Sequence, residues 1–192
     1  DGSLQEMKLA ARVGVAAMVA VLPSLAAVGY TDDELLDEIE RRNAMWFVNN
    51  TRTEQGITMM PSSGRYEYEI SYDSIAANAG TGYGLASICI AHYRGWTSYN
   101  DAYYKVLNVL KTFRDKLARG PQGFSHHFYA VVGQWYNNQY YNGYIPAGGK
   151  ILDDPNFYSV IDHALFVSGA IFAGQYFKGT EVEQIAQQLY RD

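Results

Sequence analysis

Apolar residues recur at helical spacing in five stretches of this chain, and the polar residues between them mark where each helix starts and stops. Thr31-Asp32-Asp33-Glu34 has the form of a capping box, in which a Thr hydroxyl and a Glu carboxylate satisfy the free N–H groups of a helix start. Leu35, Leu36, Ile39 and Trp46 follow, predicting a helix that runs to about Phe47. Residues 49–72 carry Gly, Pro and Ser without a long period and read as an ordered loop. A second helix is predicted from Ser74 to Tyr93; it is apolar nearly all round, which predicts burial on several sides, and Gly95 ends it. Ser98 caps a third helix reaching about Leu117, with Tyr103, Val106, Leu107, Leu110 and Phe113 on one face. A fourth spans Ser159 to Tyr176 and is again mostly apolar. Thr180-Glu181-Val182-Glu183 is a second capping box, opening a last helix to Leu189 or Tyr190.

Between the third and fourth helices, residues 120–158 break the helical pattern. Phe124 to Val132 predicts one strand of a short β-hairpin with Gly133 at its turn, and Tyr136 to Tyr158 is rich in Tyr, Asn and Gly. An irregular segment of this length inside a domain is usually functional or disordered, and its aromatic content predicts order. The fold class expected is all-α: helical hairpins with long loops collected at one end. The second and fourth helices are apolar enough to need neighbours on both sides, which predicts further helices beyond those in this chain.

Composition narrows the chemistry. A chain of 192 residues makes one ordinary domain, and 48% hydrophobic with 18% charged residues describes a folded protein. The 17 Tyr residues offer flat apolar faces with hydroxyls, suited to stacking on sugar rings as well as to core packing. A net charge of −5 without a basic run excludes nucleic acid as the expected partner. Met7, Lys8 and Arg12 precede an apolar stretch from Val13 to Leu22 and then Ser24-Leu25-Ala26, the pattern of a secretory signal peptide over residues 1–26. Residues 27–192 would then form the mature domain, secreted or periplasmic and without stable membrane insertion. Cys89, the one cysteine, lies in an apolar helical run and is expected to be a buried, inert thiol.

Several residues have side chains suited to a binding or catalytic site. Asp162 and His163 stand together at the start of the fourth helix, where free N–H groups favour a carboxylate. Their side chains point about 100° apart, so they cannot both face one ligand squarely. Asp162 is either a helix-start acid or a sugar contact. His127 is placed to hydrogen-bond a sugar hydroxyl or a backbone carbonyl, while His126 is expected to point the other way. Asp73 is a helix cap or a substrate contact. Trp96, Trp135 and Tyr136 are candidate stacking platforms, and Ser159 a further binding residue. No metal site and no cofactor is expected, since the four His and one Cys form no ligand pair at helical spacing.

Three blocks carry a family resemblance. Ser74-Ile75-Ala76-Ala77-Asn78-Ala79-Gly80-Thr81-Gly82-Tyr83-Gly84-Leu85, running into Cys89-Ile90-Ala91 and Arg94-Gly95-Trp96, is the first. Gly123-Phe124-Ser125-His126-His127-Phe128 is the second, and Ser159-Val160-Ile161-Asp162 with Ala164-Leu165 and Gly169, followed by Tyr176-Phe177, the third. In order and spacing they resemble the glycoamylase-like glycoside hydrolases, which include endo-β-1,2-glucanases, over about Asp32 to Asp192. The resemblance implies a partial (α/α)6 toroid, of which this chain would be the N-terminal half, monomeric when complete. It implies inverting hydrolysis of an oligo- or polysaccharide such as a β-glucan by two carboxyl groups, ~6.5–9.5 Å apart with a water between them. Many bacterial members carry Glu two residues before the Ser of the Ser-x-Ile-Asp motif; here that position is Phe157, which cannot donate a proton. Asp154 and Asp162 are the remaining candidates for catalytic carboxyls, with His127, His163, Ser159, Asp73, Trp135, Tyr136 and Trp96 for substrate binding.

Overall fold

The computed structural model describes residues 29–52, 56–58, 75–120, 122–130, 134–136, 139–141, 145–146 and 158–192. The chain divides into two compact units at Glu40. In the first, the predicted capping box closes both ways. The Thr31 backbone N–H and hydroxyl donate to the Glu34 carboxylate at 2.8 and 2.9 Å, and the Glu34 N–H donates to the Thr31 hydroxyl at 3.3 Å. These bonds hold the Glu34 carboxyl below its usual pKa, the backbone donor contributing most. The box opens helix α1 (Asp32–Asn50). The signal-peptide expectation falls on residues outside the described ones.

The second unit holds two helical hairpins. Helices α2 (Asn78–Tyr93) and α3 (Tyr99–Asp115) form one, and α4 (Val160–Tyr176) and α5 (Glu181–Arg191) the other. Local polar chemistry starts three of them, two (at Ser98 and Thr180) as read from the sequence. Ser98 accepts from Asp101 N–H, Ser159 from Asp162 N–H and Thr180 from Val182 N–H, each satisfying a donor that lacks an intrahelical partner.

Helices α2 and α4 lie side by side and run in the same direction. Near their starts, the backbone of Asn78 bonds to His127, which in turn reaches Asp162. Midway, Gly82 faces Leu165 and Phe166. Near their ends, His92 Nδ1 lies 2.6 Å from the Tyr176 hydroxyl. Close approach needs the missing side chains: a methyl added at Gly82 would come within 2.7 Å of backbone atoms of Leu165 and Phe166. Around this pair the core closes with Leu85, Ile88 and Cys89 of α2, Val106, Leu110 and Phe113 of α3, Phe166 and Ala170 of α4, and Ile185 and Leu189 of α5. Phe113 and Phe166 stack at 3.8 Å with planes 17° apart.

Both helices expected to be buried on several sides keep an open flank. On α4, Ile161 is 74% exposed, with Val160, Ile171 and Phe172 also exposed; on α2, Tyr83 is exposed.

Short strands correct two expectations. Helix α2 starts at Asn78 rather than Ser74, because Ile75–Ala77 pairs as strand β3 with β4 (Phe128–Ala130), Ala77 opposite Phe128. Strand β4 is not half of a local hairpin either. It lies between β3 and β7 (Ile145–Pro146), all antiparallel. The local hairpin comes later, β5 (Gln134–Tyr136) with β6 (Gln139–Tyr141). Residues 49–72 contribute, among those described, a small antiparallel pair, β1 (Thr51–Arg52) with β2 (Ile57–Thr58). The shared reason is that a strand's partner is chosen by tertiary neighbours, whereas the alternation within one segment reports only its own faces.

Candidate functional site

The parallel arrangement brings the starts of α2 and α4 to one end, and the segment 118–130 runs across that end. It is held by hydrogen bonds of its own. Gly120 N–H donates to Phe124 O at 2.8 Å and Gly123 N–H to Gly120 O at 3.0 Å, with Gly123 at φ +79°, a conformation suited to glycine. Gly120 also has to be glycine because a side chain there would meet the Tyr158 ring at 2.7 Å.

Beneath this turn lies Tyr129, fully buried. Its hydroxyl donates to Ala118 O and accepts from His126 N–H, both at 2.9 Å. Burial pushes the phenol up to about 12, so it remains protonated and able to donate across the physiological range. His126 packs between Tyr129 and Tyr158, with ring centroids 5.8 and 4.5 Å away, and burial holds its imidazole below the usual value.

Extended backbone alternates its side chains, so His127 faces opposite to His126. Its ring stacks on Phe128 at 3.8 Å, and Nε2 lies 3.1 Å from Asp162 Oδ2. Asp162 sits in the first turn of α4, where free N–H groups and the helix dipole favour negative charge. The two side chains are 27% and 16% exposed, so the pair is open to a small polar ligand. A carboxylate with an imidazole nitrogen 3.1 Å from one oxygen can accept from a hydroxyl with its second oxygen. This is chemistry suited to sugar recognition.

The structure sorts the sequence candidates. It brings His127, Asp162 and Ser159 together, Ser159 acting as the cap that accepts from Asp162 N–H at 3.2 Å. It turns His163 elsewhere: Nδ1 accepts from Ser125 N–H at 3.2 Å, and the ring meets Phe124 edge-on at 5.2 Å. Burial and, secondarily, the charge of Arg119 lower the His163 pKa, matching an acceptor Nδ1. His163 therefore binds segment 118–130 to α4 instead of facing a ligand with Asp162. Trp96 lies past the far end of α2, 16 residues or roughly 24 Å of helix from the site, with Arg94 over its ring at 5.2 Å. Trp96 is half-buried against the core there and does not join the His127–Asp162 pair. Trp135 and Tyr136 lie in β5, opposite Tyr140 and Gln139 of β6. Asp73, Asp154 and Phe157 lie outside the described residues.

Asn78, which stands in the first resemblance block without a role, is fully buried at the first position of α2, and its N–H donates to His127 O at 3.0 Å. Inside a predicted helix an Asn carries no sign of such a place. Among the described residues no three His, Cys, Asp or Glu side chains gather where a metal ion could be held, and no helix is long and apolar enough to cross a membrane.

No family profile and no curated protein matches the chain. Solved structures do. A candidate glucoamylase from Bacteroides caccae is 23% identical, with TM-score 0.62, over 84% of this chain and 36% of its own. The endo-β-1,2-glucanase from Chitinophaga pinensis, solved with sophorotriose and glucose, is 18% identical with TM-score 0.62 over the same shares. A β-1,2-glucanase from Parabacteroides distasonis is 16% identical with TM-score 0.58, over 84% of this chain and 21% of its own. The chain thus spans about a third of the length of the first two. Its two helical hairpins, with parallel α2 and α4, are part of the all-α fold of glucoamylase-like and β-1,2-glucanase structures.

Proposed function

We propose that this chain is the sugar-contacting N-terminal part of a secreted glycoside hydrolase whose complete form hydrolyses a β-glucan, such as a β-1,2-glucan, with inversion. The observation carrying the reading is the His127–Asp162 pair, a partly exposed, imidazole-oriented carboxylate at the shared mouth of two parallel helices. The fold shared with β-1,2-glucanases supports the substrate class. Asp162 is the sugar-contacting carboxylate in this reading and Asp154 the candidate for a second carboxyl. The 192-residue chain is expected to bind and not to cut. Calorimetric titration with β-1,2-linked gluco-oligosaccharides tests this, with Asp162→Asn expected to weaken binding about tenfold by replacing a charge-assisted hydrogen bond with a neutral one. Equal affinity of variant and wild type, or no binding to wild type, would remove the assignment.

Phe157 favours a second reading, a non-catalytic sugar-binding or scaffold relative, since the resembled family often has Glu at that place. The complete gene product separates the two. Sugar release that is lost in Asp162→Asn or Asp154→Asn rules out the binding-only reading, whereas binding without release, gained by Phe157→Glu, supports it.

A further inference from the structure

We infer that Asn78 is a positioning residue, its amide holding internal water that joins the start of α2 to the backbone of His127. The side chain is wholly buried, and neither Nδ2 nor Oδ1 has a hydrogen-bond partner among the described residues. Buried amides are seldom left this way, because nothing then replaces the hydration they lose.

The start of α2 offers further groups that a water could bridge. Asn78 is the first residue of a 16-residue helix whose N-cap, Ala77, provides no capping side chain. The N–H groups of a first turn lack intrahelical acceptors. Asn78 uses its own N–H on His127 O, and His127 Nε2 lies 3.1 Å from Asp162 Oδ2. A water here accepts from amide or first-turn N–H groups and donates to Oδ1, using both capacities of a neutral molecule. An ion is a poorer match, because the amide is uncharged and closed off from solvent. Full enclosure also excludes direct contact between Asn78 and a sugar, so the residue acts through His127. This inference stands apart from the proposed sugar chemistry.

A high-resolution crystal structure of the full chain tests it directly. Ordered water within hydrogen-bond distance of Asn78 Oδ1 or Nδ2 is expected, and a protein group in that place would overturn the inference. Asn78→Leu, nearly the same shape, gives a second measurement. If water completes the amide, the variant melts at a lower temperature than wild type and its His127 ring ¹⁵N resonances shift, because the backbone anchor has loosened. If the amide is simply unbonded, the apolar replacement is as stable or more stable, the His127 resonances stay, and the inference is wrong. Should the variant fail to fold, the wild-type electron density still decides.

Discussion

The carbonyl of Gly82 occupies the space into which a side chain on Gly169 would project: a methyl built on Gly169 lies 2.7 Å from the Gly82 carbonyl carbon. This contact sets how near α2 and α4 approach, and with it the meeting of their N-terminal ends at the His127–Asp162 pair.

Gly169→Ala and Gly82→Ala are therefore expected to destabilise by about 1–3 kcal/mol each, since backbone rather than a yielding side chain must move. Gly80→Ala serves as the control. Its added methyl meets only Ala77 Cβ at 3.6 Å, so it is expected to be neutral or stabilising by up to ~1 kcal/mol. Urea unfolding of the three variants checks the order, and equal losses would disprove the close approach.

Phe166→Ala is expected to cost about 3–5 kcal/mol, because Phe166 and its stacking partner Phe113 are each 1% exposed and a cavity would remain. Phe172→Ala, on the open flank of α4, removes a 46%-exposed side chain and should change stability by well under about 1 kcal/mol. Thermal melts of the pair measure the contrast.

Stability is expected to fall in mild acid. Burial lowers the folded pKa of His126 and of His163, so the unfolded chain binds protons first as pH drops below about 6.5. The contribution is present above that value and is lost as pH falls toward the folded values. Protonation of His163 Nδ1 would also remove the acceptor for Ser125 N–H. His163→Asn retains an acceptor without the titration. Its melting temperature should vary less with pH between about 7.5 and 5.5 than that of wild type, and identical slopes would count against the role given to His163.

Cys89 is fully buried, and desolvation raises its thiol to about 12. At pH about 8 the folded protein should resist iodoacetamide, with labelling appearing only on unfolding, because the thiolate is the reactive form. Rapid labelling without denaturant, followed by mass spectrometry, would contradict the packing of α2.

Much of the helical framework was legible in the sequence. Ser98 and Thr180 cap the helices they were expected to cap, and the Thr31–Glu34 box forms in both directions, whereas Ser159, read as a binding residue, turns out to cap α4. The candidate site was legible only in part. Asp162 and His127 could be named, but their meeting could not, and neighbouring residues in the chain took unlike roles: Asp162 bonds to His127 while His163 serves Ser125, 38 positions away.

What the sequence by itself determined is what acts within a few residues: apolar period, caps, and the glycines that end helices or turn the chain. A helix start needs only a side-chain oxygen two or three positions from a free N–H, so its chemistry is written locally. The tertiary structure alone decided that Ile75–Ala77 is a strand, that α2 and α4 run parallel in contact at Gly82 and Gly169, that Trp96 lies far from Asp162, and that Asn78 is buried beside His127. Each depends on groups brought together across long stretches of chain, where a partner's position and not a residue's own propensity sets the energy.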